Sequence, residues 1–213
     1  MLEYISKKAI KESKCKLIFT DVIHKVQKNI RSEGVTFSYN LVGSAKRNMI
    51  IAYPNKPFDC DYQIFLQKNK KQLSPKLIKE KLIVSFNENL PQGFKSCENS
   101  TTAITIKKVD TDSKIAFSYD IVIIDANSNP PLIIRRNENI YTWNELPDMR
   151  DYTNNLSKIK GAEMWKILRE HYLQKREAES HGKYPAKKSF QIFNEALVET
   201  LSIFSSKSRA RHK

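Results

Sequence analysis

Glycine, proline and long apolar runs are all scarce in this sequence. Its 213 residues include 5 glycines and 8 prolines, too few for a collagen-like or linker-rich chain. No apolar run approaches the roughly 18–20 residues of a membrane-spanning helix. Residues 1–16 are charged from Glu3 onward and lack the apolar segment of a secretory signal peptide. We therefore expect a globular chain without a membrane span.

Cysteine is also rare, and its spacing excludes two common uses. Cys15, Cys60 and Cys97 are widely spaced, whereas zinc sites use close pairs of cysteines and disulfide frameworks use even numbers. Reduced thiols are the rule in the cytoplasm. The cysteine pattern therefore predicts free thiols and a cytoplasmic location.

Acidic residues are outnumbered by basic ones. The chain has 23 Asp and Glu against 37 Lys and Arg, which gives a formal net charge of +14. Such an excess favours polyanionic partners, namely nucleotides, nucleic acid or an anionic membrane surface. The alternative is a solvated basic surface without a dedicated partner. Hydrophobic residues make up 40% of the chain, which is enough for a packed core.

Apolar periodicity predicts a mixed order of helices and strands. Residues 2–33 fit a helix that ends before Gly34, residues 35–42 fit a strand, and Ser44 fits the N-cap of a short helix. Further strands are expected in FDCDYQIFL, TTAITIKKV, KIAFSYDIVIID and PPLIIRRNENIYTW, and further helices in SPKLIKEKLIVSFNENL, LSKIKGAEMWKILREHYLQKREAES and KKSFQIFNEALVETLSIF, the last two joined by the turn HGKYPA.

This order predicts an α+β fold, in which a mixed or antiparallel twisted sheet is flanked by helices and followed by a helical C-terminal part. We expect a core that includes the N-terminal helix at residues 1–155, and a helical part that packs on it at residues 156–205. A basic tail at residues 206–213 is expected to fray.

Asp59 and Asp61 stand one residue apart at the start of a hydrophobic strand. Strand geometry points such residues to the same face, so the two carboxylates should lie side by side and repel each other unless a cation lies between them. Oxygen ligands on a rigid face suit divalent metal ions, so the pair predicts a metal site. The similar pair Asp110 and Asp112 lies in the polar stretch KVDTDSK, which favours a solvated hairpin turn.

A two-metal site usually needs a third carboxylate, and Asp120 and Asp125 are the candidates. Asp120 lies within the apolar run IAFSYDIVII, where an unpaired charge is strongly unfavourable. Asp125 ends that strand, should point to the other face, and is explained by turn chemistry. We choose Asp120 as the third ligand. An ion pair with a Lys or Arg is the alternative explanation for it.

Gly43 and Ser44 lie between a predicted strand and a predicted helix. Backbone N–H groups and a hydroxyl at a helix N-terminus favour phosphate binding, and glycine lets the backbone approach the phosphates closely. Lys46 and Arg47 add positive charge beside the turn. A Gly-Ser pair alone is most often an ordinary turn. Followed by the Asp-x-Asp strand, it indicates a triphosphate site at which an acceptor hydroxyl attacks the α-phosphorus and pyrophosphate leaves.

The segments VGSAKRNM, FDCDYQIFL and FSYDIVIID carry Gly-Ser, then Asp-x-Asp, then a third Asp on a later strand. In this pattern the sequence resembles the polymerase-β-like nucleotidyltransferase superfamily. Within it, the sequence is most similar to the branch of oligoadenylate synthetases, cyclic GMP-AMP synthase and their bacterial relatives. The resemblance covers about residues 1–205, but its specific motifs lie within residues 43–120.

The resemblance implies a nucleotidyltransferase fold, an NTP substrate, with ATP favoured, and two Mg²⁺ or Mn²⁺ ions. It also implies triphosphate contacts from the C-terminal helices. WKILREHYL suggests Arg169, with Lys166 as a rival, and KKSFQIF suggests Ser189. The metal ligands that it implies are Asp59, Asp61 and Asp120.

The expected activity is transfer of an NMP to an acceptor hydroxyl on a nucleotide, an RNA end or a protein side chain. A non-catalytic nucleotide- or RNA-binding module on the same fold is an alternative, as is the nucleotidyltransferase component of a toxin–antitoxin or defence pair. The chain is short for a cyclic-dinucleotide synthase of this branch. It also lacks the cysteine/histidine metal insertion of the animal DNA sensor, which argues against DNA sensing.

Overall fold

The computed structural model describes residues 2–53, 57–110, 115–180 and 187–210, without the side chains of residues 115 and 207–210. The chain divides into one unit formed by Tyr4–Leu146 and a second formed by Pro147–Lys213 together with the first three residues. The domain boundaries suggested by the sequence stay predictions.

Up to residue 146, strands and helices are mixed, as expected for an α+β fold. The strands are β1 (Glu3–Tyr4), β2 (Val35–Leu41), β3 (Ile51–Ala52), β4 (Phe58–Asn69), β5 (Glu98–Asn99), β6 (Ala103–Val109), β7 (Ile115–Asp125), β8 (Leu132–Asn137) and β9 (Ile140–Glu145). The helices are α1 (Lys7–Glu12), α2 (Cys15–Ser32), α3 (Gly43–Arg47) and α4 (Pro75–Asn89).

Seven of these strands form one sheet within the described residues. Its order is β2-β4-β7-β6-β5, and the β8–β9 hairpin pairs with β7. β4 and β7 run parallel, whereas β2 with β4, β6 with β7 and β8 with β9 are antiparallel. The prediction of a mixed sheet with flanking helices is therefore confirmed.

The hydrophobic core joins α2 and α4 to one face of this sheet. Buried positions alternate along β4, where Cys60, Tyr62, Ile64 and Leu66 are all inside. Phe19 of α2 stacks on Tyr62 with ring centroids 3.5 Å apart. Because side chains alternate along a strand, the odd-numbered residues of β4, including both aspartates, lie on the opposite face.

The predicted single helix over residues 2–33 is wrong. The segment forms β1, α1 and α2, and the two helices are separated at Lys14, whose backbone is left-handed with φ of 55°. A residue in this conformation cannot continue a right-handed helix. The Ser13 hydroxyl accepts the Cys15 N–H at 3.3 Å, which stabilises the break.

The later elements also differ from the prediction. PPLIIRRNENIYTW forms the β8–β9 hairpin rather than one strand, with Glu138 left-handed at the turn (φ 53°). Helix α5 (Arg150–Lys158) was not expected, and α6 (Gly161–Ser180) begins five residues after Leu156, at a glycine with φ of 73°. The sequence pattern did not predict the left-handed backbone at Glu138 or at Gly161.

The second unit contains α5, α6 and α7 (Ser189–Ala210). Aromatic contacts join them: Tyr152 packs on Phe190, and Tyr172 packs on Phe193. Helix α7 reaches Ala210, so the tail expected to fray from residue 206 is helical there. The turn HGKYPA (181–186) and residues 211–213 lie outside the described residues. None of the helices that the structure describes combines the length and the apolar character needed to cross a membrane.

Candidate active site

Asp59, Asp61 and Asp120 occupy two neighbouring strands. In the parallel pairing of β4 with β7, Asp61 stands directly opposite Asp120 and Asp59 stands opposite Ser118. Paired strands lie about 4.8 Å apart, and residues i and i+2 are separated by about 6.6 Å. The register therefore brings the three carboxyl groups to one region of the sheet face that α2 and α4 do not cover.

The three carboxyl groups interact electrostatically. Loss of hydration and, to a smaller extent, the charges of Asp120 and Asp59 together raise the pKa of Asp61 to about 6, against the lowering effect of Arg47. The pKa of Asp59 is also raised, first by loss of hydration around its carboxyl group and then by Asp120, against the lowering effect of the Ser118 hydroxyl. The site thus concentrates negative charge that a cation would relieve.

Gly43 lies directly against Asp61. Its φ of 64° is in the left-handed region, and a Cβ at this position would overlap the Asp61 carboxylate, with Cγ at 3.1 Å and Cβ at 3.3 Å. The Val42 N–H donates to the Asp61 carbonyl at 2.8 Å, which fixes the end of β2 beside β4. Two separate requirements, the positive φ and the close contact, therefore demand glycine here.

The turn itself differs in detail from the prediction. Val42 rather than Ser44 occupies the N-cap position of α3, so the expected Ser44 cap is wrong. Arg47 Nη1 donates to the Gly43 carbonyl at 3.0 Å, which closes the turn, and Lys46 is exposed. Helix α3 has five residues and therefore only a small dipole, so the phosphate-binding role expected of this turn depends on its position beside Asp61.

Two hydroxyl groups that the sequence did not indicate hold the carboxylates. Ser118 donates to Asp59 Oδ1, and Thr105 of β6 donates to Asp120 Oδ1 at 2.6 Å. Each donor is the direct register partner of the aspartate that it contacts. Only knowledge of the strand pairing could have identified them, because both pairs are distant in the sequence.

The residues fit divalent metal ions in their chemistry. Mg²⁺ and Mn²⁺ take oxygen ligands, and three carboxylates supply them. Loss of hydration raises the pKa of Asp59 and of Asp61, so a cation beside these two carboxyl groups would be favoured. Within the described residues, no group of three or more His, Cys, Asp or Glu side chains is already arranged to hold a metal ion. Side-chain adjustment on binding is therefore part of the metal hypothesis.

Three other candidates, Asp125, Tyr141 and Trp143, make structural contacts. Asp125 Oδ1 accepts the Asn127 N–H at 3.0 Å, which is the turn chemistry expected of it. Asp112 lies outside the described residues, so the turn proposed for Asp110 and Asp112 stays a prediction. Tyr141 and Trp143, considered for base stacking, pack against the hydrophobic core.

Behind the aspartates, the same two strands are tied to α2. Cys60, between Asp59 and Asp61, places its Sγ 3.7 Å from Cys15 Sγ in the core. This hydrogen bond lowers the pKa of Cys15, which accepts it, and raises the pKa of Cys60, which donates it. The Tyr119 hydroxyl donates to the Cys15 carbonyl at 2.5 Å. Cys15, Cys60 and Cys97 are free thiols, of which the first two are buried.

No protein-family model and no curated protein matches the sequence. Solved structures do match. The GTP-bound form of Vibrio cholerae DncV matches with a TM-score of 0.52 at 15% identity, over 89% of this chain and 50% of that chain. A second structure of DncV, described as a cyclic AMP-GMP synthase and a prokaryotic cGAS homolog, matches with a TM-score of 0.50 at 15% identity. The match covers 85% of this chain and 56% of that chain. The fold is similar to that of DncV.

DncV in complex with the linear intermediate 5' pppA(3',5')pG matches in the same way, with a TM-score of 0.50 at 16% identity over 87% of this chain and 58% of that chain. The chain thus spans about half the length of the DncV structures that it matches. The resemblance to nucleotidyltransferases of the cyclic GMP-AMP synthase branch is confirmed at the level of the fold.

The residues implied by resemblance alone lie in the second unit. Lys166 is exposed on α6, Arg169 is half-buried on the same helix, and Ser189 is the exposed first residue of α7. Their assignment to triphosphate binding stays a prediction.

Proposed function

We propose that the protein is a metal-dependent nucleotidyltransferase, which moves an NMP from an NTP, with ATP favoured, to an acceptor hydroxyl and releases pyrophosphate. The observation that carries this proposal is the β4–β7 register, which sets Asp61 opposite Asp120 with Asp59 on the same face. The similarity of the fold to that of DncV, which binds GTP, supports it.

Each group in the site has a role in this proposal. Asp59, Asp61 and Asp120 would hold two Mg²⁺ or Mn²⁺ ions. When bound, such ions neutralise the triphosphate and favour ionisation of the attacking hydroxyl. The backbone and hydroxyl of Gly43 and Ser44 would orient the triphosphate beside Asp61.

Further side chains are proposed to contact the triphosphate. Lys46 and Arg47 would supply charge at the turn, and the other contacts proposed for the triphosphate are Arg169 or Lys166, and Ser189. The acceptor is a nucleotide, an RNA end or a protein hydroxyl. A cytoplasmic location remains a prediction from the free thiols.

Asp61→Asn tests the proposal most directly. It keeps the size of the side chain and removes a carboxylate, so release of pyrophosphate from labelled NTPs with Mg²⁺ or Mn²⁺ should fall at least about 1000-fold, as expected for loss of transition-state stabilisation of roughly 4 kcal/mol. The matched control is Asp125→Asn, in the same sheet but in a turn, where an amide oxygen can still accept the Asn127 N–H; it should retain activity.

The net charge of +14 favours a second candidate, a nucleotide- or RNA-binding module without catalysis. This candidate predicts that Asp61→Asn leaves RNA binding unchanged or stronger and that affinity falls steeply with salt. If the wild type transfers nucleotide and the Asp61→Asn variant does not, the non-catalytic candidate is excluded. RNA binding together with no transfer to any nucleotide, RNA or protein acceptor would favour it.

A further inference from the structure

The hydroxyl groups of Ser100 and Thr105 form a polar chain that ends on Asp120, and Lys79 binds the backbone of Ser100. The Thr105 hydroxyl donates to Asp120 Oδ1 at 2.6 Å, and the Ser100 hydroxyl lies 3.2 Å from Thr105 Oγ1. Lys79 Nζ donates to the Ser100 carbonyl at 2.6 Å. Together these contacts connect helix α4 through the β5–β6 connection to the face of the sheet that carries the aspartates.

The direction of the hydrogen bonds in this chain is determined by proton count. A threonine hydroxyl has one proton, and Thr105 gives it to Asp120, which accepts as a carboxylate. The contact between Ser100 and Thr105 must then have Ser100 as its donor. Both hydroxyl protons therefore point toward Asp120, and each bond polarises the next.

Lys79 is the unusual residue of the three. Its residue is 0% exposed, although lysine is almost never fully buried unless paired. Among the described residues it forms no ion pair with a carboxylate, and its polar contact is the Ser100 carbonyl. Burial and, to a smaller extent, the charge of Arg136 together lower the pKa of Lys79 to about 8. Core packing alone would favour an apolar residue here, so the lysine points to a requirement at Ser100.

We propose that Thr105 is a positioning residue for Asp120, held in place by Ser100 and Lys79, and that it fixes the carboxylate so that Oδ2 faces the metal and acceptor. This proposal rests on the proposed function. The terminal torsion of an aspartate is broad, so an unrestrained carboxylate would rotate. Ligand groups must be held to within about 0.5 Å, and supporting hydrogen bonds supply that restraint.

Thr105→Val is the decisive variant. Valine keeps the β-branched shape and replaces the hydroxyl with a methyl group, so strand pairing should persist. Partners of metal ligands typically contribute about 10- to 100-fold, so we expect kcat to fall by that factor while KM for the NTP changes less than about threefold. The Mg²⁺ concentration for half-maximal activity should rise in parallel.

Two further variants separate positioning from general damage. Thr105→Ser keeps the hydroxyl and should recover kcat to within about threefold of the wild type. Thr36→Val makes the same substitution on β2, at the end away from the aspartates, and should leave kcat unchanged. Circular dichroism should show the same unfolding temperature for Thr105→Val and Thr105→Ser, within about 3 °C.

Binding of Mn²⁺ without nucleotide, measured by electron paramagnetic resonance, distinguishes the two proposals. If the wild type transfers nucleotide and the Thr105→Val variant is equally active, the result overturns the positioning role and leaves the proposed function intact. If the wild type is inactive but binds Mn²⁺ more tightly than the Thr105→Val variant, the result contradicts the proposed function and supports the positioning role. Wild type that shows neither transfer nor Mn²⁺ binding overturns both.

Discussion

Asp61 is the residue at which stability and the proposed activity oppose each other. The pKa of its carboxyl group is raised to about 6 in the folded protein, chiefly by loss of hydration. The folded state therefore holds a proton that the unfolded chain releases at lower pH. Without metal, ionisation of Asp61 removes stability as the pH rises from about 4 through 6, by at most about 3 kcal/mol.

Asp61→Asn should therefore stabilise the metal-free protein at pH 8. The gain should shrink as the pH falls from 6 to 4 and disappear below about pH 3, where the wild-type carboxyl group is protonated in both states. Thermal unfolding in EDTA across this pH range measures the difference, with Asp125→Asn as the control. A variant less stable than the wild type at pH 8 would contradict the pKa assignment.

At the level of single residues, the sequence pattern predicted the three aspartates but not the hydroxyl groups that donate to Asp59 and Asp120. Asp59, Asp61 and Asp120 were chosen because two carboxylates close together, and one within an apolar run, are unfavourable without a partner. Ser118 and Thr105 gave no such signal, because a hydroxyl is acceptable in many settings. Their importance depends on the register of strands that are distant in the sequence.

At the level of elements, the β2–α3 turn carries the sharpest structural requirement. Gly43 combines a left-handed backbone with direct contact to Asp61, whereas Gly161 has a similar φ of 73° and no atom within 4 Å of a built Cβ. Substitution of Gly161 therefore measures backbone strain alone, whereas substitution of Gly43 measures strain together with contact to Asp61.

Gly161→Ala should lose about 1–2 kcal/mol of stability from backbone strain alone. Gly43→Ala should lose more and should also displace Asp61, so transfer should fall about 100-fold, as expected for a misplacement near 1 Å. Chemical denaturation and pyrophosphate release measure the two effects. Equal activity of both variants would show that the contact with Asp61 has no catalytic consequence.

Elements with strong local signals were predicted correctly. Helix α4 begins as expected with Ser74 as N-cap, which accepts the Leu77 N–H at 3.3 Å, and with Pro75 as its first residue. The breaks at Lys14 and Glu138 were missed because neither is glycine, asparagine or aspartate, the residues that usually mark a left-handed backbone. Lys14 lies between Ser13 and Cys15, which share a hydrogen bond, and Glu138 lies in the two-residue turn between β8 and β9; the composition of neither segment indicates a left-handed backbone.

For the molecule as a whole, metal removal tests whether the site contributes to stability. Mg²⁺ with a nonhydrolysable NTP at 100 times its dissociation constant should add about 2.7 kcal/mol over the protein in EDTA. The double variant Asp59→Asn/Asp61→Asn should gain little. Differential scanning calorimetry measures both, and an equal gain in the double variant would place the ligand elsewhere.

The parallel pairing of β4 with β7 has a consequence for folding kinetics. Ser118 and Asp59 are 59 residues apart in the sequence, so the loop between the strands must close before the site exists. Contacts of this separation form slowly, after local hairpins and helices. A nascent or partly folded chain would thus have no affinity for nucleotide. Ligands should prolong the lifetime of the native protein by slowing unfolding, with little effect on how fast it folds.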